Sequence, residues 1–244
     1  MPPALPRSDL LNDRTLIGRA FCDAYGSVVD EWLADLFDEA VAADRPGGPG
    51  LALVAVGRQG RPELCPQSDL DLLLLTDRGV DAVGVAEKLW YPIWDEGLKL
   101  GHSVRTVRDT ISLASEDLET ATALLSARHL AGDASLTAEL GEKARVNWHK
   151  KGKRWLEALA GAVEERHAAF GEVAFDLEPD LKEARGGLRD VHALGWARAA
   201  GADVDERLLA DLQRDHGTLL AGRVELHRAA GKPTDKLMLQ DQDA

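Results

Sequence analysis

The sequence of 244 residues is poor in aromatic and in basic residues. Aromatic side chains make up 5% of it, and its 29 Lys and Arg residues are outnumbered by 42 Asp and Glu residues, for a formal net charge of −13. A chain this acidic has no general basic surface, so we expect no DNA partner. No apolar run reaches the roughly 18 residues of a membrane span, so we expect no membrane association either.

Cysteine and the common metal and phosphate motifs are also scarce. Cys22 and Cys65 are the only cysteines, which is no disulfide framework and favours a reduced, cytoplasmic setting. The sequence contains neither CxxC nor HExxH, and its seven histidines lack metal-ligand spacing, so zinc is not expected. Its glycine loop after residue 56 fits neither a P-loop nor a dinucleotide fingerprint, which disfavours those two nucleotide-binding classes.

The strand signals lie in the first half of the chain. Two apolar runs, Leu51–Val56 and Leu70–Leu75, are nearly continuous rather than alternating, which predicts central strands covered on both faces. The segment Leu98–Val107 alternates and predicts a third strand. Together with the helical patterns around them, these runs predict an α+β fold built on a small mixed sheet.

Helical patterns dominate the rest. Val80–Gly97 reads as a helix, and the sequence from Ser115 to about Phe170 is helical with few breakers. We therefore divide the chain into a sheet-containing domain at 1–110, with an N-terminal helix, and a mainly helical domain at 111–244. The tryptophans at helical positions are predicted to be core residues, and His102 is predicted to be a packed histidine rather than a catalyst.

The stretch Val54–Leu75, VAVGRQGRPELCPQSDLDLLLL, carries the main chemical signal. Residues i and i+2 of a strand project to the same side, so Asp69 and Asp71 should present two carboxylates at the mouth of a buried strand. Adjacent carboxylates repel each other and need a cation, and a hard ion such as Mg²⁺ (or Mn²⁺) suits them best. The alternative is a turn followed by a solvated edge strand.

Two neighbours favour the metal interpretation. Gly57 ends the first apolar run, where a glycine turn lets the backbone approach phosphates closely. Ser68 adjoins the carboxylate pair, where its hydroxyl can bond the loop or a phosphate. A glycine turn facing a two-carboxylate metal site predicts chemistry on a nucleoside triphosphate.

The spacing of Gly57, Asp69 and Asp71 resembles the nucleotidyltransferase fold of the DNA polymerase beta superfamily. Within it, the chain is similar to the bacterial PII uridylyltransferases in four ordered segments. These are the AVGxxGRxELCPxSDLDLLLL string, WDEGLKLGHSVRT (Trp94–Thr106), DLETATALLSARHLAGD (Asp117–Asp133) and FDLEPDLKEARGGLRDVHALGW (Phe175–Trp196).

The resemblance implies transfer of UMP from UTP to a tyrosine hydroxyl of the PII nitrogen-signalling protein, with release of pyrophosphate. Some relatives use ATP, so UTP and ATP both stay open. The family's removing activity resides in a downstream HD-type domain, and this sequence contains no His-Asp dipeptide, so we expect the transferase part alone. Two alternatives are a nucleotide- or PII-binding module and a glutamine synthetase adenylyltransferase; the EPDLKEARGGLRD string argues against the latter.

The glycine loop departs from the family pattern GGYGRGEL. Here Arg58 replaces the second glycine, Gln59 the tyrosine and Pro62 a later glycine. Arg58 either crowds the phosphate site or binds phosphate itself through its bidentate guanidinium. Pro62 removes one backbone donor and stiffens the turn.

The resemblance also implies a third carboxylate and several phosphate contacts. Glu178 is our candidate for the third carboxylate; Asp176 and Asp180 compete, and all three are alternatively turn-capping residues. We expect residues 172–190 to return to the active site. Arg189 beside Asp190 is alternatively a structural ion pair. The implied nucleotide contacts are Gly57, Arg58, Gly60, Arg61, Ser68, Lys182 and Arg189.

Overall fold

The computed structural model of the protein describes residues 4–44, 50–61 and 63–242, apart from the side chain of Arg58. These residues form α-helices and a small mixed sheet, so the predicted α+β class is confirmed. The α-helices are α1 Ser8–Asn12, α2 Gly18–Asp44, α3 Gly57–Gly60, α4 Val83–Asp95, α5 Val107–Ala114, α6 Leu118–Leu124, α7 Ala134–Lys150, α8 Gly152–Phe170, α9 Leu188–Ala199 and α10 Glu206–Ala230. A short 3-10 helix, Leu239–Asp241, follows them.

The sheet has the strand order β3-β2-β1-β4. Its strands are β1 Leu51–Ala55, β2 Leu70–Thr76, β3 Leu100–Thr106 and β4 Arg128–Gly132. β1 is antiparallel to both β2 and β4, whereas β2 and β3 are parallel. The two apolar runs therefore form the central strands as predicted. All of β1 is buried, and so is every residue of β2 except Asp71.

The prediction of a helical region from Ser115 to about Phe170 is wrong for one segment. The segment Arg128–Gly132 leaves the helical path and pairs with β1 as an edge strand. It is five residues long and mostly half-buried, so it lacks the continuous apolar pattern of the central strands. Its conformation is set by pairing with β1, which local sequence does not report.

The chain divides into two compact units. The first comprises Met1–Leu10, Asp23–Leu64 and Ser68–Asn147, and the second comprises Leu11–Cys22, Cys65–Gln67 and Trp148–Ala244. The sheet belongs to the first unit, where Leu53, Leu74 and Leu75 are completely buried. Cys22 and Cys65, both in the second unit, are buried and are not joined in a disulfide.

Aromatic stacking helps to organise the second unit. The rings of Trp148 and Trp155 stack with their centroids 5.3 Å apart. The indole nitrogen of Trp148 donates a hydrogen bond of 3.1 Å to the carbonyl oxygen of Trp196. Because a buried indole N–H is costly to leave without an acceptor, this bond ties Trp148 to α9 within the second unit.

The prediction that the tryptophans are core residues holds for Trp32, Trp90, Trp148 and Trp155 but is wrong for Trp94, which is 44% exposed. Trp94 instead covers His102 on the surface of the first unit, with ring centroids 5.5 Å apart. Trp90 contacts the same imidazole from 5.3 Å. His102 contacts both tryptophan rings but is exposed on the edge strand β3, so the prediction that it is packed in the interior is wrong.

None of the helices in the described part of the chain combines the length and the apolar character that crossing a membrane requires.

Candidate functional site

The carboxylate of Asp71 lies between two glycines. A Cβ atom placed on Gly57 would lie 2.9 Å from Asp71 Oδ2, and one placed on Gly101 would lie 2.8 Å from Asp71 Oδ1. Gly101 is the register partner of Asp71 on β3, and Gly57 follows β1 with a φ of +58°. Both glycines leave room for the carboxylate, so Gly57 accommodates an acidic side chain and not only a sharp turn.

Asp69 and Asp71 lie at the start of β2. Asp69 precedes the strand, Asp71 is its second residue, and both are half-buried. The backbone carbonyl of Asp71 accepts a hydrogen bond of 2.9 Å from the amide of Val56, which ties the start of β2 to the end of β1. Ser68, directly before Asp69, is buried.

Polar contacts from outside the motif anchor the glycine loop, residues 57–60. The Arg128 guanidinium donates to both carboxylate oxygens of Asp30, at 2.6 and 3.0 Å, and to the carbonyl of Gln59 at 2.9 Å. The Gln59 amide donates to Asp30 Oδ1 at 3.0 Å, so the residue that replaces the family's tyrosine is held by an acidic partner. The Ser126 hydroxyl donates to the carbonyl of Gly57 at 2.9 Å.

Gly60 closes this loop against the chain that follows α6. A Cβ on Gly60 would lie 1.9 Å from the backbone carbonyl oxygen of Ser126. No side chain fits that distance, so Gly60 is required by a backbone contact within the first unit.

Of the other predicted phosphate contacts in this unit, Arg61 lies with its Nε 3.3 Å from Glu63 Oε2, and its side chain is 15% exposed. The predicted roles of Arg58 and Pro62 lie outside the described residues, because neither the Arg58 side chain nor Pro62 is part of them.

The remaining predicted residues belong to the second unit. Lys182 Nζ lies 2.6 Å from Glu183 Oε1, and Arg189 Nε lies 3.5 Å from the same oxygen. Lys182 and Arg189 are thus brought together on one carboxylate. Burial raises the pKa of Glu183, but Lys182, followed by Arg189, outweighs burial and holds that pKa below its usual value.

The three candidate third carboxylates all accept backbone hydrogen bonds. Asp176 accepts from the amide of Glu172 at 2.9 Å, and Asp180 from the amides of Lys182 and Glu183 at 2.9 and 2.6 Å. Glu178 accepts from the amide of Leu239 at 3.2 Å and lies 3.3 Å from Lys236 Nζ. The backbone bond, together with Lys236, lowers the pKa of Glu178.

Among the described residues Arg189 pairs with Glu183. The alternative of an ion pair between Arg189 and Asp190 is therefore wrong. Asp190 instead binds Arg166, and its Oδ1 lies 2.9 Å from His167 Nε2. The amide of Gly186 donates to Asp190 Oδ2 at 2.7 Å. Neighbouring residues at the start of a helix diverge by about 100°, so adjacency in sequence did not favour this pair.

These contacts predict how the stability of the second unit depends on pH. Burial raises the pKa of Asp190, but the hydrogen bonds from Arg166 and Gly186 outweigh it and lower the pKa overall. Because the folded-state pKa lies below the unfolded one, Asp190 stabilises the fold above its unfolded pKa, and this stabilisation is lost as the pH falls through the folded pKa. We expect Asp190→Asn to cost about 2 kcal/mol of unfolding free energy at neutral pH, and less in acid, at a pH below the folded-state pKa.

Urea unfolding at both pH values measures this difference. Asp211→Asn, which removes an exposed partner of Arg214, is the matched control and should change stability by under about 0.5 kcal/mol. An equal cost of Asp190→Asn at both pH values would contradict the assignment.

Sequence reasoning missed the residues that shape the first-unit site from outside the motif. Gly101 had a usable signal, because a glycine inside a strand pattern indicates a close approach. Asp30, Ser126 and Arg128 had none, since they meet the loop across 29 to 69 residues of sequence.

Comparison with known proteins decides the family. The sequence model of the GlnD PII-uridylyltransferase family matches residues 154–244. A bifunctional uridylyltransferase/uridylyl-removing enzyme from Streptomyces coelicolor is 44% identical over 243 residues, which is 98% of this chain and 28% of that protein. The chain belongs to the PII-uridylyltransferase family.

Further relatives carry the same name. The Mycobacterium tuberculosis protein is 39% identical over 98% of this chain and 31% of its own length, and the Erythrobacter litoralis protein is 34% identical over 96% of the chain and 28% of its own length. The chain therefore spans about 30% of the length of the PII-uridylyltransferase relatives it matches. Each of these relatives matches nearly the whole chain and is named as an enzyme.

Proposed function

We propose that the chain is a metal-dependent nucleotidyltransferase that moves UMP or AMP from a nucleoside triphosphate to a tyrosine hydroxyl of the PII protein. The observation that carries the proposal is the Asp71 carboxylate seated between Gly57 and Gly101, in a chain whose relatives are named uridylyltransferases. We also propose that its sheet is of the polymerase-beta nucleotidyltransferase type.

The carboxylate pair fits a hard divalent cation. Asp69 and Asp71 are half-buried, and the space that a Cβ would fill on either side of Asp71 is given to its carboxylate oxygens. Oxygen donors of this kind suit Mg²⁺ or Mn²⁺. When bound, the ion would supply charge stabilisation for the triphosphate and the leaving pyrophosphate.

The remaining steps would be bond formation, bond cleavage and proton transfer. The tyrosine oxygen attacks the α-phosphorus, a phosphorus–oxygen bond forms, and the bond to pyrophosphate breaks. The hydroxyl proton, with a pKa near 10 in free tyrosine, needs an acceptor, for which we propose Glu178, with Asp176 and Asp180 as alternatives. The lowered pKa of Glu178 makes it a weak base. The assignment is tested by Glu178→Gln, which should lower the rate of transfer if Glu178 accepts the proton.

The backbone of the loop beginning at Gly57 would approach the triphosphate, with Ser68 beside it. Arg61, Lys182 and Arg189 would contact its phosphates. These cations already pair with Glu63 and Glu183. Bound triphosphate would therefore have to compete with both carboxylates, which predicts modest nucleotide affinity.

The test is transfer of label to purified PII protein from radiolabelled UTP or ATP in the presence of Mg²⁺. We expect labelled PII with one of the two nucleotides, and a competition between them identifies the preferred base. No transfer with either nucleotide overturns the proposal. Thermal stabilisation by nucleotide without product would instead support a binding module, since a ligand at 100 times its Kd adds about 2.7 kcal/mol.

A further inference from the structure

Three side chains near the end of the chain form a buried polar cluster in the second unit. Arg223 Nε donates to Asp235 Oδ1 at 2.6 Å, and His227 Nε2 lies 3.4 Å from the same oxygen. Arg223 and His227 are 3% and 1% exposed. Burial raises the pKa of Asp235, but the bond with His227 and the charge of Arg223 outweigh it and keep that pKa far below its ordinary value. Asp235 is therefore a fixed anion that orients both partners.

The same cluster binds the segment Cys65–Gln67, which belongs to the same unit. Arg223 Nη1 donates to Cys65 Sγ at 3.0 Å. The backbone amide of Gln67 donates to His227 Nδ1 at 3.2 Å. A three-residue segment is thus held at both ends by α10, about 160 residues later in the sequence.

The bond from Gln67 fixes the state of the His227 ring. A backbone amide can only donate, so Nδ1 must be the acceptor, and the ring proton lies on Nε2, facing Asp235. His227 therefore transmits the orientation set by Asp235 to one backbone amide. Carboxylate–histidine pairs orient functional groups in the same manner elsewhere.

The position of this amide in the sequence gives the contact its significance. Gln67 precedes Asp69 by two residues, and residues 63–69 contain no helix or strand. The backbone that presents Asp69 thus lies outside the sheet, whereas Asp71 is a residue of β2.

We propose that His227 is a positioning residue: by holding the amide of Gln67, it fixes the backbone that presents Asp69. The kinetic consequence rests on the proposed nucleotidyl transfer, whereas the structural consequence does not. No atom of His227 takes part in the reaction.

Two substitutions separate the two bonds of the ring. His227→Asn retains an acceptor near the position of Nδ1 and gives up the contact with Asp235. His227→Gln retains a donor near Nε2 and gives up the bond to Gln67. Arg214→Ala, which removes an exposed ion pair from the same helix, is the control.

The first measurement is the exchange rate of the Gln67 amide hydrogen in the ¹⁵N-labelled protein. We expect exchange about tenfold faster in His227→Gln than in His227→Asn or Arg214→Ala, because one native hydrogen bond is lost. Equal exchange in the Gln and Asn variants overturns the inference. This readout needs neither nucleotide nor PII.

The second measurement is label transfer as a function of Mg²⁺ concentration. We expect His227→Gln to lower kcat about tenfold and to raise the Mg²⁺ concentration for half-maximal activity, with the KM for nucleotide unchanged. His227→Asn should recover most of kcat, and a kcat equally low in both variants overturns the inference. A wild-type protein that transfers no label refutes the proposed function instead, and the exchange measurement still decides the role of His227.

Discussion

Asp71→Asn is expected to lower nucleotidyl transfer about 10³-fold while leaving the fold intact. The substitution keeps the size of the side chain between Gly57 and Gly101 but removes its negative charge. Charge stabilisation by a bound divalent ion amounts to several kcal/mol, and about 4 kcal/mol corresponds to a factor of about 10³ in rate. The rate of label transfer to PII at saturating nucleotide measures the effect, with circular dichroism to monitor folding.

The matched control is Asp77→Asn. Asp77 directly follows β2 at the end opposite to Asp71, is exposed, and accepts a local hydrogen bond from the amide of Arg78. Its substitution should change transfer less than about twofold. Activity in Asp71→Asn within tenfold of the wild type would show that this carboxylate holds no essential ion.

Gly60→Ala is expected to destabilise the first unit by about 3 kcal/mol. The added Cβ would lie 1.9 Å from the carbonyl oxygen of Ser126, and neither backbone can turn aside as a flexible side chain would. Forced overpacking of this kind costs roughly 1–3 kcal/mol or more, and the displaced loop also loses the bonds to Arg128 and Ser126. Urea unfolding measures the loss.

Gly26→Ala provides the comparison within the same unit. Gly26 lies inside α2 with nothing within 4 Å of an added Cβ, so alanine should stabilise the helix by roughly 0.5–1 kcal/mol. If Gly60→Ala were as stable as the wild type, the close contact between the loop and Ser126 would be refuted.

The central part of the fold was predictable because burial leaves a simple trace in the sequence. Residues covered on both faces must be apolar at successive positions, which is the pattern of β1 and β2. The edge strand β4 leaves no such trace. Its five residues include His129, whose Nδ1 lies 3.0 Å from the Thr137 hydroxyl, and its pairing with β1 is decided by tertiary contacts.

In the candidate site, too, residues with a local sequence signal were predictable and residues joined by long-range contacts were not. Asp69 and Asp71 were identifiable because their spacing and their place before an apolar run are local properties. The anchoring of the loop by Arg128, and of Gln67 by His227, joins residues 69 and 160 positions apart. A single sequence carries no record of such pairs, since each partner taken alone resembles an ordinary surface or helical residue.

The two glycines beside Asp71 also bear on how the site tolerates mutation. A Cβ atom on Gly101 or Gly57 would lie 2.8 or 2.9 Å from an oxygen of the carboxylate, so any other residue at either position would push the Asp71 side chain out of its place. At Gly57 the positive φ adds backbone strain to that steric conflict. Substitutions at 57 or 101 should therefore displace the carboxylate directly, although neither residue has a side chain of its own.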